Sequence, residues 1–175
     1  MKKVYEDIKI LIDEAKNKDI CTSLAVFKPK EILNFYVEST EREWDTGKLE
    51  NLKQLNLFDN YNKDGSLSVV KKLPYKFKFR FIDAKNYECN LMIEDWETGQ
   101  LFWRCMQKYS QNEQKAIEDV RKKYFEDFAK NKDLYFFLGT TKQHHFTSKN
   151  PFIIIGTFYP KKEHQLSLFL NFKIT

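Results

Sequence analysis

Residues 75–81 read YKFKFRF, and this stretch decides the fold class because aromatic residues and cations alternate along it without a break. The aromatic side chains that share one face are Tyr75, Phe77, Phe79 and Phe81. The cations on the opposite face are Lys76, Lys78 and Arg80. A period of two residues is typical of a β-strand with one buried face. The stretch therefore predicts a half-buried strand that lies over an aromatic core.

The sequence on both sides of this strand predicts further short strands and helices. The other strands are predicted over 21–27, 31–38, 87–94, 134–138, 152–158 and 166–174. Helices are predicted over 3–17, near 49–55, from Asp95 through Met106, and from a capping box at Ser110 and Glu113 to about Asn131. Because neighbouring strands are adjacent in sequence, we expect an α+β fold. Its sheet should be largely antiparallel and strongly twisted, with about 6–7 strands and 3–4 helices.

Length and hydropathy predict a single domain outside the membrane. The chain has 175 residues, of which 42% are hydrophobic, and this is enough to bury a core over 1–175. The clearest loop, at 60–68, is a weak candidate for a subdivision. The apolar runs are too short to span a bilayer, and the charged N-terminal residues do not resemble a signal peptide. We therefore expect a cytoplasmic protein with no membrane partner.

Glycine and cysteine counts exclude several classes of protein. The five glycines are scattered, so the chain contains no GxGxxG, GxxxxGK or GxSxG motif. This excludes Rossmann enzymes, P-loop NTPases and α/β-hydrolases. Cys21, Cys89 and Cys105 form no CxxC pair and are expected to be reduced thiols, mostly in the core. No metal site and no cofactor is predicted.

A basic stretch around the strand at 75–81 is the first candidate site. Six cations lie within fifteen residues, at Lys71, Lys72, Lys76, Lys78, Arg80 and Lys85. Arg104 could extend this surface. Cations on one strand face recur about every 6.5–7 Å, close to the phosphate spacing of an extended single strand. This predicts salt-dependent nucleic-acid binding, although the strand's own aromatics, which could stack on bases, lie on the opposite face. The simpler interpretation is that these cations lie on an outer face of the sheet and contact only solvent.

A second candidate site combines carboxylates and histidines. Asp83, Glu94 and Asp95 could hold Mg²⁺ for phosphodiester cleavage, but Asp95 could equally cap a helix. The adjacent His144 and His145 lie in a loop between two strands, where they could bind a metal or act as a general base. The alternative for this pair is an exposed polar loop. Together these five residues would form the catalytic set of a metal-dependent nuclease.

Several longer motifs resemble a family of uncharacterised bacterial proteins. They are KLPYKFKFRF at 72–81, MIEDWETGQLFW at 92–103, DLYFFLGT at 133–140 and NPFIIIGTFYPK at 150–161. FKPKEILNF at 27–35 and LKQLNLF at 52–58 are similar to its N-terminal part. The resemblance covers roughly residues 27 to 162. It implies a bacterial or phage-borne intracellular protein without an established activity, and it assigns no functional residue.

Together these features favour a non-enzymatic nucleic-acid-binding or accessory protein of a bacterial defence or mobile-element system. DNA or RNA would contact the basic strand face. One alternative is a protein–protein interaction module, in which the predicted strand at 166–174 forms an edge that pairs with a partner. The other alternative is the metal-dependent nuclease.

Overall fold

The structure, a computed structural model, describes residues 3–47 and 71–162. The chain divides into two compact units, one comprising 1–37 and 77–175 and the other 38–76. Three predicted features lie outside the described residues: the helix near 49–55, the loop boundary at 60–68 and the strand at 166–174. The single-domain organisation stays a prediction.

The described residues form seven strands and three helices, which confirms the predicted α+β fold. The strands are β1 (Val4–Tyr5), β2 (Leu24–Phe27), β3 (Glu31–Ser39), β4 (Tyr75–Ile82), β5 (Glu88–Ile93), β6 (Tyr135–Thr140) and β7 (Phe152–Phe158). The helices are α1 (Ile8–Lys16), α2 (Trp96–Lys108) and α3 (Glu113–Arg121). A π-helical segment, Lys122–Ala129, continues directly from α3.

All seven strands belong to one sheet, in the order β1-β2-β6-β7-β5-β4-β3. The pairs β2·β6, β6·β7 and β4·β5 are antiparallel, whereas β1·β2 and β5·β7 are parallel. The sheet is therefore mostly antiparallel, as predicted. The structure has seven strands, within the predicted range of about 6–7. One of the seven is β1, however, and its residues were predicted to be helical.

The aromatic face of β4 forms the centre of the core, as its alternation predicts. Phe79 is fully buried, with its ring centroid 4.7 Å from that of Phe35 and 5.0 Å from that of Phe136. Phe77 contacts Phe102 of α2 at a centroid distance of 6.2 Å. Tyr124, in the π-helical segment, also packs against Phe35 and Phe79. These contacts place α2 and the π-helical segment on the face of the sheet that carries the β4 aromatics.

Helix α1 begins at Ile8, so the prediction that it starts at residue 3 was wrong. The Asp7 side chain caps the helix by accepting hydrogen bonds from the backbone N–H groups of Lys9 and Ile10, at 2.9 and 3.3 Å. Val4 and Tyr5 instead pair in parallel with β2. Helical periodicity cannot reveal this, because the pairing involves residues that are distant in sequence.

The predicted capping box at Ser110 and Glu113 was also wrong. Asn112 is the N-cap of α3, and its side chain accepts a hydrogen bond from the N–H of Lys115 at 3.0 Å. Ser110 and Gln111 have left-handed backbone conformations, with φ of 50° and 68°. The chain therefore turns sharply between α2 and α3 before the helix begins, which places Ser110 too early to cap it.

Thiol reactivity should distinguish the three cysteines. Cys89 and Cys105 are buried, as expected of core residues, but Cys21 is exposed. Burial raises the pKa of the Cys89 thiol to about 12 and also raises that of Cys105. Because the thiolate is the reactive form, we expect a disulfide reagent at pH 8 to modify Cys21 alone in the folded protein. All three thiols should react in denaturant, and rapid modification of Cys89 or Cys105 without denaturant would contradict their burial.

Candidate functional site

One face of the sheet is open to solvent in the part of the chain that the structure describes. The register places Lys78 beside Met92 and Arg80 beside Asn90, on the side opposite the buried phenylalanines of β4. Ile93, Ile154 and Leu138 are paired in register across β5, β7 and β6, and all three face the core. Phe137, the residue before Leu138, therefore faces the same side as Lys78 and Arg80. We call this surface the open face.

The cations of β4 lie on the open face, as the sequence predicts. Lys76 and Arg80 are exposed, and Lys78 is half-buried. The guanidinium of Arg80 donates from Nε and Nη2 to the Glu88 carboxylate, at 2.6 and 3.0 Å. This interaction lowers the pKa of Glu88 and raises that of Arg80. The positive charge of Arg80 is therefore partly compensated by a residue on the neighbouring strand.

The other predicted cations do not belong to the open face. Arg104 lies on α2, in the helical layer, and Lys85 lies in the exposed turn between β4 and β5. Lys71 and Lys72 precede β4, and Lys72 Nζ donates to the carbonyl oxygen of Glu43 at 2.7 Å. The basic stretch is therefore continuous in sequence but not as a surface.

The open face also carries aromatic side chains that the sequence did not reveal. Tyr135 pairs with Phe158 between β6 and β7, with ring centroids 6.1 Å apart, and Phe158 is 54% exposed. Phe158 of β7 is two strand spacings from β4, about 10 Å, and Tyr135 of β6 is three, about 14 Å. Both rings also lie towards the end of the sheet away from Arg80, because Phe158 comes four residues after Ile154, which is level with Phe77. The sequence of both strands is apolar on both faces, so the pattern alone could not indicate which rings face solvent.

Asp83 is a structural anchor. Its carboxylate is fully buried and accepts hydrogen bonds from the N–H groups of Ile8, Lys85 and Tyr87, at 3.2, 2.8 and 2.8 Å. It thereby connects the turn after β4 to the start of α1. The three backbone donors account for its burial without a metal.

One of the neighbouring carboxylates caps a helix. Asp95 is the N-cap of α2, and its side chain accepts a hydrogen bond from the Glu97 N–H at 3.1 Å. Burial raises the pKa of Asp95. Asp95 and Glu97 line a pocket of about 430 Å³ together with Phe158 and other residues of β6 and β7. Glu94 is exposed, and its backbone N–H donates to the carbonyl of Ile154.

His145 is buried and fully hydrogen-bonded, unlike its exposed neighbour His144. Its Nε2 lies 2.7 Å from the Ala15 carbonyl oxygen and its Nδ1 lies 2.6 Å from Thr140 Oγ1. Because a carbonyl only accepts, Nε2 is assigned as the donor to Ala15, whereas the Thr140 hydroxyl can pair with Nδ1 as either donor or acceptor. Both ring nitrogens are thus engaged in joining α1 to β6, so the expectation of an exposed polar loop was wrong for His145.

Of the five predicted nuclease residues, Asp83, Asp95 and His145 therefore have separate structural roles, and Glu94 and His144 are exposed. Among residues 3–47 and 71–162, no three His, Cys, Asp or Glu side chains come together in a group that could hold a metal ion. The geometry therefore gives the nuclease alternative no support.

Comparison with known proteins identifies the family of the chain but not its activity. No helix of the described ranges is long and apolar enough to cross a bilayer. No curated protein matches the chain, and no solved structure matches it. A family model described as "Domain of unknown function (DUF8757)" matches residues 5–173, which confirms the expected membership of an uncharacterised family. The chain therefore belongs to the DUF8757 family.

Proposed function

We propose that this chain is a non-enzymatic protein that binds single-stranded nucleic acid along the open face of its sheet. The observation that supports the proposal is that the β4 cations share this face with the Tyr135–Phe158 pair. Single-strand binders combine such cations, which contact phosphates, with exposed rings on which bases stack. The rings that β4 lacks on this side are supplied by β6 and β7.

The spacing of these groups suits an extended strand that crosses the sheet. Lys78 and Arg80 would contact phosphates, and the exposed ring of Phe158, about 20 Å from Lys78 along a diagonal of the sheet, would stack on a base several nucleotides away. A phosphate at Arg80 would compete with the Glu88 carboxylate, so this contact should be weaker than that of an uncompensated arginine. With about three phosphate contacts, log K should fall against log salt concentration with a slope of about −2.

Reversing two charges on β4 should weaken this binding. We expect Lys76→Glu with Lys78→Glu to weaken binding of a labelled single-stranded DNA or RNA by about tenfold or more at about 50 mM salt. Binding is measured by fluorescence anisotropy, repeated at about 200 mM salt, with Mg²⁺ present and the products examined on a gel. A matched control, Lys85→Glu with Arg104→Glu, changes the net charge equally but lies off the open face.

The outcomes separate the alternatives. Equal losses in the two double variants would indicate a net-charge effect, and undiminished binding in the β4 variant would contradict the proposed surface. Phe158→Ala should also weaken binding, by about 1–3 kcal/mol if one base stacks on the ring. Cleavage of the probe would revive the nuclease alternative.

A protein partner that adds a strand to the sheet is the second candidate. The observation that favours it is β3, whose nine residues form the outer strand of the sheet in the described part of the chain. Long outer strands offer unpaired backbone groups to a partner strand. Static light scattering of the purified protein tests self-association through this edge. A monomer at all concentrations would exclude self-association.

The cellular setting of the proposal is the bacterial cytoplasm, in a defence or mobile-element system. This part is supported only by the resemblance of the motifs at 72–81, 92–103, 133–140 and 150–161 to uncharacterised bacterial proteins.

A further inference from the structure

Four lysines come together at the end of the sheet where β7 ends and β6 begins. Lys132 and Lys161 lie directly opposite each other in an antiparallel bridge, three residues before β6 and three residues after β7. Lys162 Nζ donates to the carbonyl oxygen of Lys130 at 2.7 Å, which joins these two residues as well. We call the four residues the lysine cluster. Like charges on directly opposed residues repel each other and destabilise the pair.

The positive charge at this end of the sheet is only partly compensated. Lys130 Nζ lies 2.6 Å from the Glu126 carboxylate, and Lys132 Nζ lies 3.3 Å from the Asp127 carboxylate. These are the only two acidic residues in 121–132 and 161–162, which contain seven Lys and Arg residues. The excess of five positive charges equals the net charge of the entire chain, so the remaining residues carry as many acids as cations. An anionic partner at the lysine cluster would offset the repulsion.

Aromatic rings hold one of the ammonium groups in place. The Nζ atom of Lys132 lies 5.0 Å from the ring centroid of Phe128 and 4.9 Å from that of Tyr159. The two rings stack on each other, with their centroids 3.6 Å apart. A cation–π contact orients an ammonium group without neutralising it. Since Lys161 and Lys162 are exposed, the lysine cluster combines one positioned cation with two that a partner can reach.

The lysine cluster lies close to the aromatic pair of the open face. Along the strands, the bridge is three residues beyond Tyr135 and Phe158, or about 10 Å. Measured in the same way, the bridge is about 30 Å from Lys78. The contact of Lys132 with Phe128 of the π-helical segment places the cluster on the helical side of this end. A nucleic-acid strand that leaves Phe158 would therefore pass over the end of the sheet to reach the cluster.

We propose that the lysine cluster binds phosphates of the single strand that crosses the open face. Single-strand binders combine cations with exposed rings, and the cluster is next to the exposed ring of Phe158. Extended nucleotides about 6–7 Å apart cover a distance of about 30 Å in about five steps. The preferred ligand is therefore a single strand of about six nucleotides or more. This inference rests on the proposed function and adds to it the length of the ligand.

Single-stranded probes of two lengths, compared by fluorescence anisotropy, test the contact. A probe of about four nucleotides is too short to engage Lys78 and the lysine cluster together, whereas a probe of about twelve engages both. We expect the longer probe to bind about tenfold more tightly at about 50 mM salt. Its slope of log K against log salt concentration should be steeper by about 1.4, since two added phosphate contacts contribute about 0.7 each.

Neutralising two lysines of the cluster should remove most of this advantage. We expect Lys161→Gln with Lys162→Gln to bind the longer probe about tenfold more weakly and the shorter probe within about twofold of the wild type. The matched control, Lys85→Gln with Arg104→Gln, removes the same charge from the β4–β5 turn and from α2. It should bind both probes within about twofold of the wild type. Far-ultraviolet circular dichroism verifies that both variants are folded.

The outcomes separate this inference from the proposed function. Undiminished binding of the longer probe in the cluster variant, or losses equal to those of the control, would overturn the role of the cluster. The open face would keep its proposed role if Lys76→Glu with Lys78→Glu still weakened binding. Full binding in that β4 variant would instead contradict the proposed function and the ligand length derived from it. No binding of either probe at low salt would overturn both.

An anionic membrane is the competing partner for the lysine cluster. Vesicles of phosphatidylglycerol are sedimented with the wild type and with the Lys161→Gln, Lys162→Gln variant. We expect no difference between the two proteins. Vesicle binding that requires the two lysines, in a protein whose probe binding does not, would overturn the proposal.

Discussion

Phe79→Ala is expected to lower the free energy of unfolding by about 3–5 kcal/mol, which is a large fraction of the roughly 5–15 kcal/mol that stabilises a typical domain. Phe79 is fully buried at the centre of β4, where its ring contacts Phe35, Tyr124 and Phe136. These partners come from β3, the π-helical segment and β6. The truncation would therefore leave a cavity that no single element can fill by a local shift.

Urea unfolding followed by far-ultraviolet circular dichroism measures this effect. Lys78→Ala is the matched control, since the side chain of Lys78 lies on the open face of the same strand. We expect the control to change stability by less than about 1 kcal/mol. If the two variants unfold at the same urea concentration, the two faces of β4 have been assigned wrongly.

Asp83→Ala should destabilise the fold by a similar amount, about 3–5 kcal/mol. The substitution removes a buried carboxylate and leaves the N–H donors of Ile8, Lys85 and Tyr87 without this acceptor. The donor at Ile8 matters most, because it is the first residue of α1 and its hydrogen bond is buried. Both the turn after β4 and the position of α1 depend on this side chain.

The control for this prediction is Lys85→Ala, which changes an exposed side chain of the same turn. Asp83→Asn keeps one acceptor oxygen and should lie between the wild type and Asp83→Ala in urea stability. This series also separates an anchor from a catalytic acid, because a catalytic carboxylate can usually be replaced by an amide with little loss of stability. Wild-type stability in Asp83→Ala would contradict the anchoring role.

Sequence patterns predicted those parts of the fold that depend on local periodicity. The alternation over 75–81 placed β4 and its buried face correctly, because one side chain in two must meet the core. The start of α1 and the cap of α3 were missed for a different reason. Val4 pairs with a strand more than twenty residues away, and Asn112 caps α3 only because Ser110 and Gln111 turn the chain first.

The candidate site was predictable only in part. The cations at Lys76 and Lys78 could be assigned to one strand face because a single strand determines their positions. The aromatic rings at Tyr135 and Phe158 could not, since a strand that is apolar on both sides does not indicate which side faces solvent. The burial of His145 depends on its contacts with Ala15 and Thr140, and the contact with Ala15 joins residues 130 positions apart.

The strand order also constrains how the protein acquires its structure. β2 lies between β1 and β6, and its Val26 pairs with Phe137, more than one hundred residues later. Sheets dominated by such distant pairings close long loops before they gain contacts, so their folding takes milliseconds to seconds. At a synthesis rate of about 5–20 residues per second, β6 is completed roughly 5–20 s after β2, and β2 lacks this partner strand until then. The apolar side chains of the N-terminal third are therefore available to chaperones over this interval.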